Sequence, residues 1–246
     1  MSSALICSKR SKPASVLALG FAALLAGCSA SSEDRLELGV ASSLAVAMER
    51  LTDEFETETG ISTILVVAGS GTLLTQLEAG AGFDGMAVAD QDSLERVLAF
   101  RPGATHTRFA TGRVVLAVAK DNPRRLSGLS SLSDPELRTA IGTEGSPIGR
   151  YSRQVLAQAE VVIPNPALET SAAAIVSKLL LGEIDAGLVY HTDVVASGGL
   201  LTELAIPDAP SQFFLARWSA PAAQFQEFLV SAPAAAILSE FGFGPP

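Results

Sequence analysis

The chain has 246 residues, of which 48% are hydrophobic and 17% charged, and a formal net charge of −9. That composition suits a folded body large enough for one big domain or two lobes. The negative charge argues against nucleic acid or an anionic membrane surface as the main partner, and two Cys and two His leave no material for a Cys-based or multi-His metal centre.

The first element is a processing segment. Lys9, Arg10 and Lys12 precede an apolar run from Val16 to Leu25, and Leu25-Ala26-Gly27-Cys28 closes it. A basic start, a short apolar stretch and small residues before a cut site make a bacterial secretory signal. A membrane span needs about 20 apolar residues, and this run is shorter. The closing tetrapeptide resembles the lipobox of bacterial lipoproteins. It implies that residues 1–27 leave as a signal peptide and that the mature chain begins at a lipidated Cys28. Residues 28–35 would then tether the body to the cell membrane, on its extracytoplasmic or periplasmic face. Losing the three basic residues takes the charge to near −12. Cys7 leaves with the signal and Cys28 carries lipid, so neither a disulfide nor a Cys nucleophile is expected.

From Leu36 strands and helices alternate. Leu36–Ala41 reads as a strand. Leu44, Met48, Leu51 and Phe55 recur on one helical face, and Gly60 ends that helix. Ile61–Val67 is strand-like, Thr72–Ala79 a short helix stopped by Gly80, Met86–Ala89 a strand, and Asp92–Phe100 a helix stopped by Arg101-Pro102-Gly103. His106 falls in a loop. A second series follows: a strand over Arg113–Ala119, a helical turn opened by Asp134-Pro135, a loop after Ala140–Thr143, and a helix from about Gly149 to Ala159. Next come a strand at Val161–Ile163, a helix over Ser171–Leu181 stopped by Gly182, and a strand at Asp185–Val189. Asp193 is placed to cap a short helix after Thr192. Leu201–Ile206 and Phe213–Arg217 read as strands, Gln224–Val230 and Ala234–Phe241 as helices. The alternation predicts an α/β fold with mostly parallel sheets, and the two series predict two lobes. Lobe 1 would hold residues 36–112 plus about 206–246, and lobe 2 about 113–205.

In open α/β sheets ligands sit beyond the carboxyl ends of the strands. Four junctions there combine small residues or hydroxyls with a helix start: Ala41-Ser42-Ser43-Leu44, Ala68-Gly69-Ser70-Gly71-Thr72, Ser146-Pro147-Ile148-Gly149-Arg150-Tyr151, and Glu169-Thr170-Ser171-Ala172. Free N–H groups and the positive helix end favour an anion at such places. The same Ser residues could equally be ordinary N-caps.

The order of these motifs resembles the substrate-binding proteins of bacterial molybdate ABC transporters. The resemblance is carried by the four junctions, by Gln76-Leu77-Glu78-Ala79-Gly80, by Ala87-Val88-Ala89-Asp90, by Phe241-Gly242-Phe243, and most specifically by Gly182-Glu183-Ile184-Asp185-Ala186-Gly187-Leu188-Val189-Tyr190 with Thr192-Asp193. It covers nearly all of the mature chain. It implies a type II periplasmic binding protein, two lobes with the ligand cleft between them. The ligand would be molybdate or tungstate, bound with no cofactor and no metal cation. Its partners would be an ABC permease with its ATPase, and the protein itself a monomer. Carried over, the ligand-binding set is Ser43, Ser70 and Tyr190 through side chains, Ile148 and Ala172 through backbone N–H groups, and the N–H groups of Ser43 and Ser70 as well. Uncharged donors that match every oxygen can hold a desolvated dianion.

Three departures bear on the ligand. Ala172-Ala173 stands where many relatives have Val-Arg, Ala81-Gly82-Phe83-Asp84-Gly85-Met86 replaces a more usual Ala-Pro-Ala-Asp-Leu-Phe, and Ile148 is bulkier than the common Ala. Two other functions stay open. One is a binding protein for another oxyanion such as sulfate or phosphate. The other is a hydrolase using Ser70, His191 and Asp193, although Gly69-Ser70-Gly71 lacks the spacing of a nucleophile elbow. Otherwise no catalytic residue is expected.

Overall fold

A computed structural model describes residues 35–246, all within the compact unit Ser32–Pro246. The expected signal segment, Cys28 and the tether to residue 34 lie outside the described residues. Arg35, expected in the tether, already opens the first strand.

In the first half, β1 (Arg35–Ala41) pairs in parallel with β2 (Ser62–Ala68) and β3 (Gly85–Val88). Helix α1 (Ala45–Thr59) joins β1 to β2 and α2 (Ser70–Glu78) joins β2 to β3. The predicted face of α1 is buried, and Phe55 meets Phe225 edge-on with ring centroids 5.2 Å apart. Gly60 ends α1 with φ 74°, and its N–H reaches the Glu56 carbonyl at 2.8 Å. That left-handed backbone is one a residue with a Cβ rarely adopts. Asp90 caps α3 (Gln91–Phe100) by accepting from the Ser93 N–H at 2.9 Å.

The second half repeats the plan. β5 (Thr139–Gly142) pairs in parallel with β6 (Ala167–Glu169) and β7 (Ala186–Tyr190). Helices α4 (Pro147–Gln158), α5 (Ala172–Leu180) and α6 (His191–Ala196) each follow one of these strands.

One long strand joins the halves. In β4 (Thr105–Ala119), residues from Thr105 to Arg113 pair antiparallel with β9 (Pro210–Arg217), and Val114 to Val118 pair antiparallel with β7. β8 (Leu201–Leu204) pairs with the last four residues of β4. The order is β2-β1-β3-β9-β4-β7-β5-β6, with β8 on β4. The sheet is therefore mixed rather than mostly parallel. Antiparallel strands need no helical crossover, so β4 and β9 pass directly between the halves. Helices α7 (Ala220–Leu229) and α8 (Ala232–Glu240) then return to the first half, where Phe225 and Phe228 pack on Phe55.

Three local expectations fail. Val161–Ile163 is not a strand: Glu160 takes φ 55° and the Val161 N–H bonds the Leu156 carbonyl at 2.9 Å, so these residues finish α4. The strand comes later, at β6. Asp134-Pro135 opens no helix. The Asp134 side chain accepts from the Glu136 N–H at 2.9 Å and holds a turn, after a short 3-10 helix at Leu129–Ser133. His106 lies in β4 rather than in a loop, because β4 starts at Thr105, eight residues before the strand expected from Arg113.

The core follows strand alternation. Leu36, Leu38 and Val40 belong to a buried cluster that continues through β4 and β7 into the second half. On the opposite face of the first half, Met86, Val88, Leu94, Val97 and Phe214 form a smaller cluster with the leucines of α2.

Candidate functional site

The carboxyl ends of β1, β2, β3, β6 and β7 and the start of α4 converge on one cleft. Ser42 and Ser43 follow β1, Gly69 and Ser70 follow β2, and Ala89 follows β3. From the second half come Ser146-Pro147-Ile148, Thr170-Ser171-Ala172 and Tyr190. All five residues expected from sequence, Ser43, Ser70, Ile148, Ala172 and Tyr190, therefore line the same cleft. Those missed are Ala41, Ser42, Gly69, Ala89, Ser146, Pro147, Thr170 and Ser171. All of them except Ala89 lie in the four junctions, so their positions were visible but their roles were not.

The N-cap reading divides these serines. Ser146 accepts from the Gly149 N–H at 3.1 Å and Ser171 from the Ala174 N–H at 3.2 Å, so both are caps. Each takes the N–H of the third residue of its helix. The first-turn N–H groups of Ile148 and Ala172 stay outside the helical ladder and face the cleft end. Ser70 is different. It lies inside α2, whose start has no side-chain cap, and its buried Oγ has no hydrogen-bond partner among the described residues. The turn Ser42–Leu44 also has no side-chain cap. Tyr190 OH is likewise buried and without a partner among the described residues. A buried polar atom without a partner costs about 1–3 kcal/mol, and here two of them line one small cleft.

Tyr190 is held as a donor. Burial, then the neighbouring Tyr151, Asp90 and Asp193, raise its pKa well above the ordinary phenol value, so its hydroxyl keeps its proton. Its ring packs edge-on against Tyr151 at 6.3 Å and Phe213 at 5.7 Å. Burial pushes the Tyr151 hydroxyl up to about 12, while its oxygen accepts from the Gln212 N–H at 3.2 Å. Asp193 lies inside α6 rather than ahead of it and accepts from the Tyr190 N–H at 2.9 Å. Burial pushes its carboxyl up to about 7, opposed by that bond.

Two close approaches tie the halves together beside the cleft. Arg150 on α4 donates through Nε to Asp90 Oδ2 at 2.6 Å, and its Nη2 also binds that oxygen. Asp92 lies 3.2 Å from the same Nε. The guanidinium is thus compensated, and the cleft lining itself is uncharged. Gly69 faces the second approach: a Cβ there would lie 3.0 Å from the Thr170 carbonyl oxygen. Within α4, Gly149 is required because a Cβ would collide with the Thr143 carbonyl.

A serine-hydrolase constellation is not assembled. Ser70 Oγ has no partner, His191 Nδ1 lies 2.7 Å from Glu203 Oε2, and Asp193 binds Tyr190 rather than His191. Among the described residues no group of three or more His, Cys, Asp or Glu side chains converges on a metal site, and no helix is long and apolar enough to cross a membrane.

Known proteins share this layout. The chain is 29% identical over 216 residues to the molybdate-binding protein ModA of Mycobacterium tuberculosis, covering 84% of this chain and 83% of that protein. It is 27% identical to a putative ABC transporter substrate-binding lipoprotein, YvgL, of Bacillus subtilis, covering 89% of this chain and 93% of that one. The structure superposes on the periplasmic molybdate-binding protein of Azotobacter vinelandii with a TM-score of 0.69 at 22% identity, over 86% of this chain and 99% of the other. The fold is thus the two-lobed α/β arrangement of periplasmic solute-binding proteins. Residues 36–244 match the bacterial extracellular solute-binding protein family, and the chain belongs to that family.

Proposed function

We propose that this protein captures molybdate, or its near-isostere tungstate, and delivers it to an ABC permease with its ATPase, held to the membrane by lipid on Cys28. The observation that carries the reading is the pair of buried, unpartnered hydroxyls, Ser70 Oγ and Tyr190 OH, in an uncharged cleft bounded by several helix starts. A tetrahedral dianion needs donors on every oxygen and needs no counter-ion if the donors are fixed. Ser43, Ser70 and Tyr190 would supply hydroxyls, and Ile148 and Ala172 N–H groups. The relatives named for molybdate, and the lipoprotein of Bacillus subtilis, support the ligand and the anchor respectively. The lobes would divide at the β4 crossover, residues 36–112 with about 206–246 on one side and about 113–205 on the other. Ligand would favour the closed arrangement, since only there do both lobes engage it.

The test is calorimetry on Ser32–Pro246, the compact unit that holds every residue of the cleft, with molybdate, tungstate, sulfate and phosphate. Binding of the first two alone supports the proposal. Binding of sulfate or phosphate alone moves the protein to another oxyanion class. Ester turnover lost in Ser70→Ala would overturn it in favour of an enzyme.

A further inference from the structure

A second cavity backs onto the anion cleft. It shares Ser42 and Ser43 with the cleft, and Thr192 and Asp193 of α6 form another part of its wall. The rest is mostly apolar, with Val46 of α1 and Phe243 of the C-terminal segment. Thr192 is 4% exposed, and its buried Oγ1 has no hydrogen-bond partner among the described residues. Asp193 accepts from the Tyr190 N–H through Oδ2 at 2.9 Å, a bond that does not use Oδ1. Its charge reaches the Tyr190 hydroxyl, whose pKa it raises in addition to burial, Tyr151 and Asp90.

The Asp193 carboxyl has no counter-ion among the described residues. No Lys, Arg or His lines the cavity. The elements packed on α6 bring none: β7 carries no charged side chain, Arg113 of β4 is bound to Glu203 of β8, as is His191 of α6 itself, and Lys178 of α5 lies against Glu169 and Glu183. Burial pushes the carboxyl up to about 7. Below that value a proton satisfies it. Above it a negative charge sits behind Tyr190 and needs a positive partner. We propose that this cavity is a site for one small monovalent cation, held by the Asp193 carboxylate, the Thr192 hydroxyl and the oxygens of Ser42 and Ser43. One carboxylate among hydroxyls and carbonyls is a hard donor set, and a single acid matches a charge of +1. A divalent ion would want more acids, and no group of three or more His, Cys, Asp or Glu gathers among the described residues. Thr192 Oγ1 would gain the partner it lacks. The site also bears on the cleft. A dianion beside Tyr190 is repelled by an uncompensated Asp193, and a cation there removes the repulsion. Cation and anion therefore favour each other by the same factor. That coupling rests on the oxyanion reading above; the cation site does not.

The test uses Ser32–Pro246, the compact unit that contains the cavity, at about pH 8, where this carboxyl is mostly ionised. Sodium chloride is compared with choline chloride at equal ionic strength, since choline is too large for a site built for a bare ion. Without any oxyanion, sodium should raise the melting temperature by roughly 2–5 °C over choline, and the protein should broaden the sodium NMR line. Thr192→Ser keeps the hydroxyl and should keep both responses. Thr192→Val and Asp193→Asn should lose both. Equal melting temperatures and an unbroadened line in the wild type would overturn the site, and so would a full sodium response in Asp193→Asn. The wild-type comparison decides even if a variant fails to fold. Molybdate is then titrated as its choline salt into each medium. Affinity should be at least about fivefold higher in sodium, and less so in Asp193→Asn. Equal affinity in the two salts would overturn the coupling. Absence of molybdate binding in both would overturn the proposed function instead, and the melting and line-width data would still judge the cation site.

Discussion

Arg150 reaches from the start of α4 to Asp90, the N-cap of α3, with Nε 2.6 Å from the carboxylate Oδ2. The two residues are sixty positions apart and belong to opposite halves of the molecule. Asp90 is only 5% exposed, so removing its cation leaves a buried carboxylate to be satisfied by Ser93 alone. Arg150→Met should lower stability by about 1–3 kcal/mol and weaken anion binding, because the pair holds α4 against the first half. Thermal unfolding and calorimetry on the same sample check both effects. Full affinity in Arg150→Met would mean that the pair does not set the cleft.

Ser70→Ala and Tyr190→Phe separate function from stability. Neither hydroxyl has a partner among the described residues, so deleting it removes no hydrogen bond within the fold and relieves a desolvated group. Each variant should melt at or above the wild-type temperature. Binding should fall in each, and Ser43→Ala with Ser70→Ala together should lose at least about tenfold, at roughly 1 kcal/mol or more per bond. A variant that melts lower but binds normally would assign the hydroxyl to the fold.

Gly69 has φ −62°, so an L side chain costs no backbone strain there. The obstacle is space, since the Thr170 carbonyl would lie 3.0 Å from a Cβ. Gly69→Val should fold with unchanged helix content by circular dichroism, yet hold the two loops apart and bind anion weakly. Small-angle scattering should show a more open particle when anion is added to the variant than when it is added to wild type.

Burial raises the Asp193 carboxyl to about 7 from an ordinary 3.8. Between those values the folded chain binds a proton that the unfolded chain has lost. Stability from this group is therefore full below about pH 4 and declines as pH rises toward about 7. Asp193→Asn keeps an oxygen for the Tyr190 N–H and removes the titration. It should flatten the melting-temperature profile over this range and gain most relative to wild type at the alkaline end. Parallel profiles for the two proteins would refute the assignment.

Local signals were readable where local chemistry decides. Gly60, Gly182 and the face of α1 announced themselves, since a left-handed terminus and a 3.6-residue period are properties of a few adjacent residues. The expectation failed where a neighbour far along the chain intervenes. Val161–Ile163 has the composition of a strand, but its first N–H is spent on closing α4. His106 reads as a loop residue, yet β9 recruits it into a ladder. Ser70 and Ser171 look alike in sequence, and only the folded chain shows one hydroxyl capping a helix and the other pairing with nothing.

Sequence by itself determined the alternation of elements, the hydroxyl- and glycine-bearing junctions, and the absence of thiol or multi-histidine chemistry from the body, because periodicity and side-chain inventory are carried within short windows. The tertiary structure alone decided that one long strand unites two half-sheets, that five separated residues line one cleft, and that Arg150, Asp90, His191 and Glu203 find each other. Those outcomes depend on distances between segments that sequence separates by tens of residues, and such distances are set only when the whole core packs.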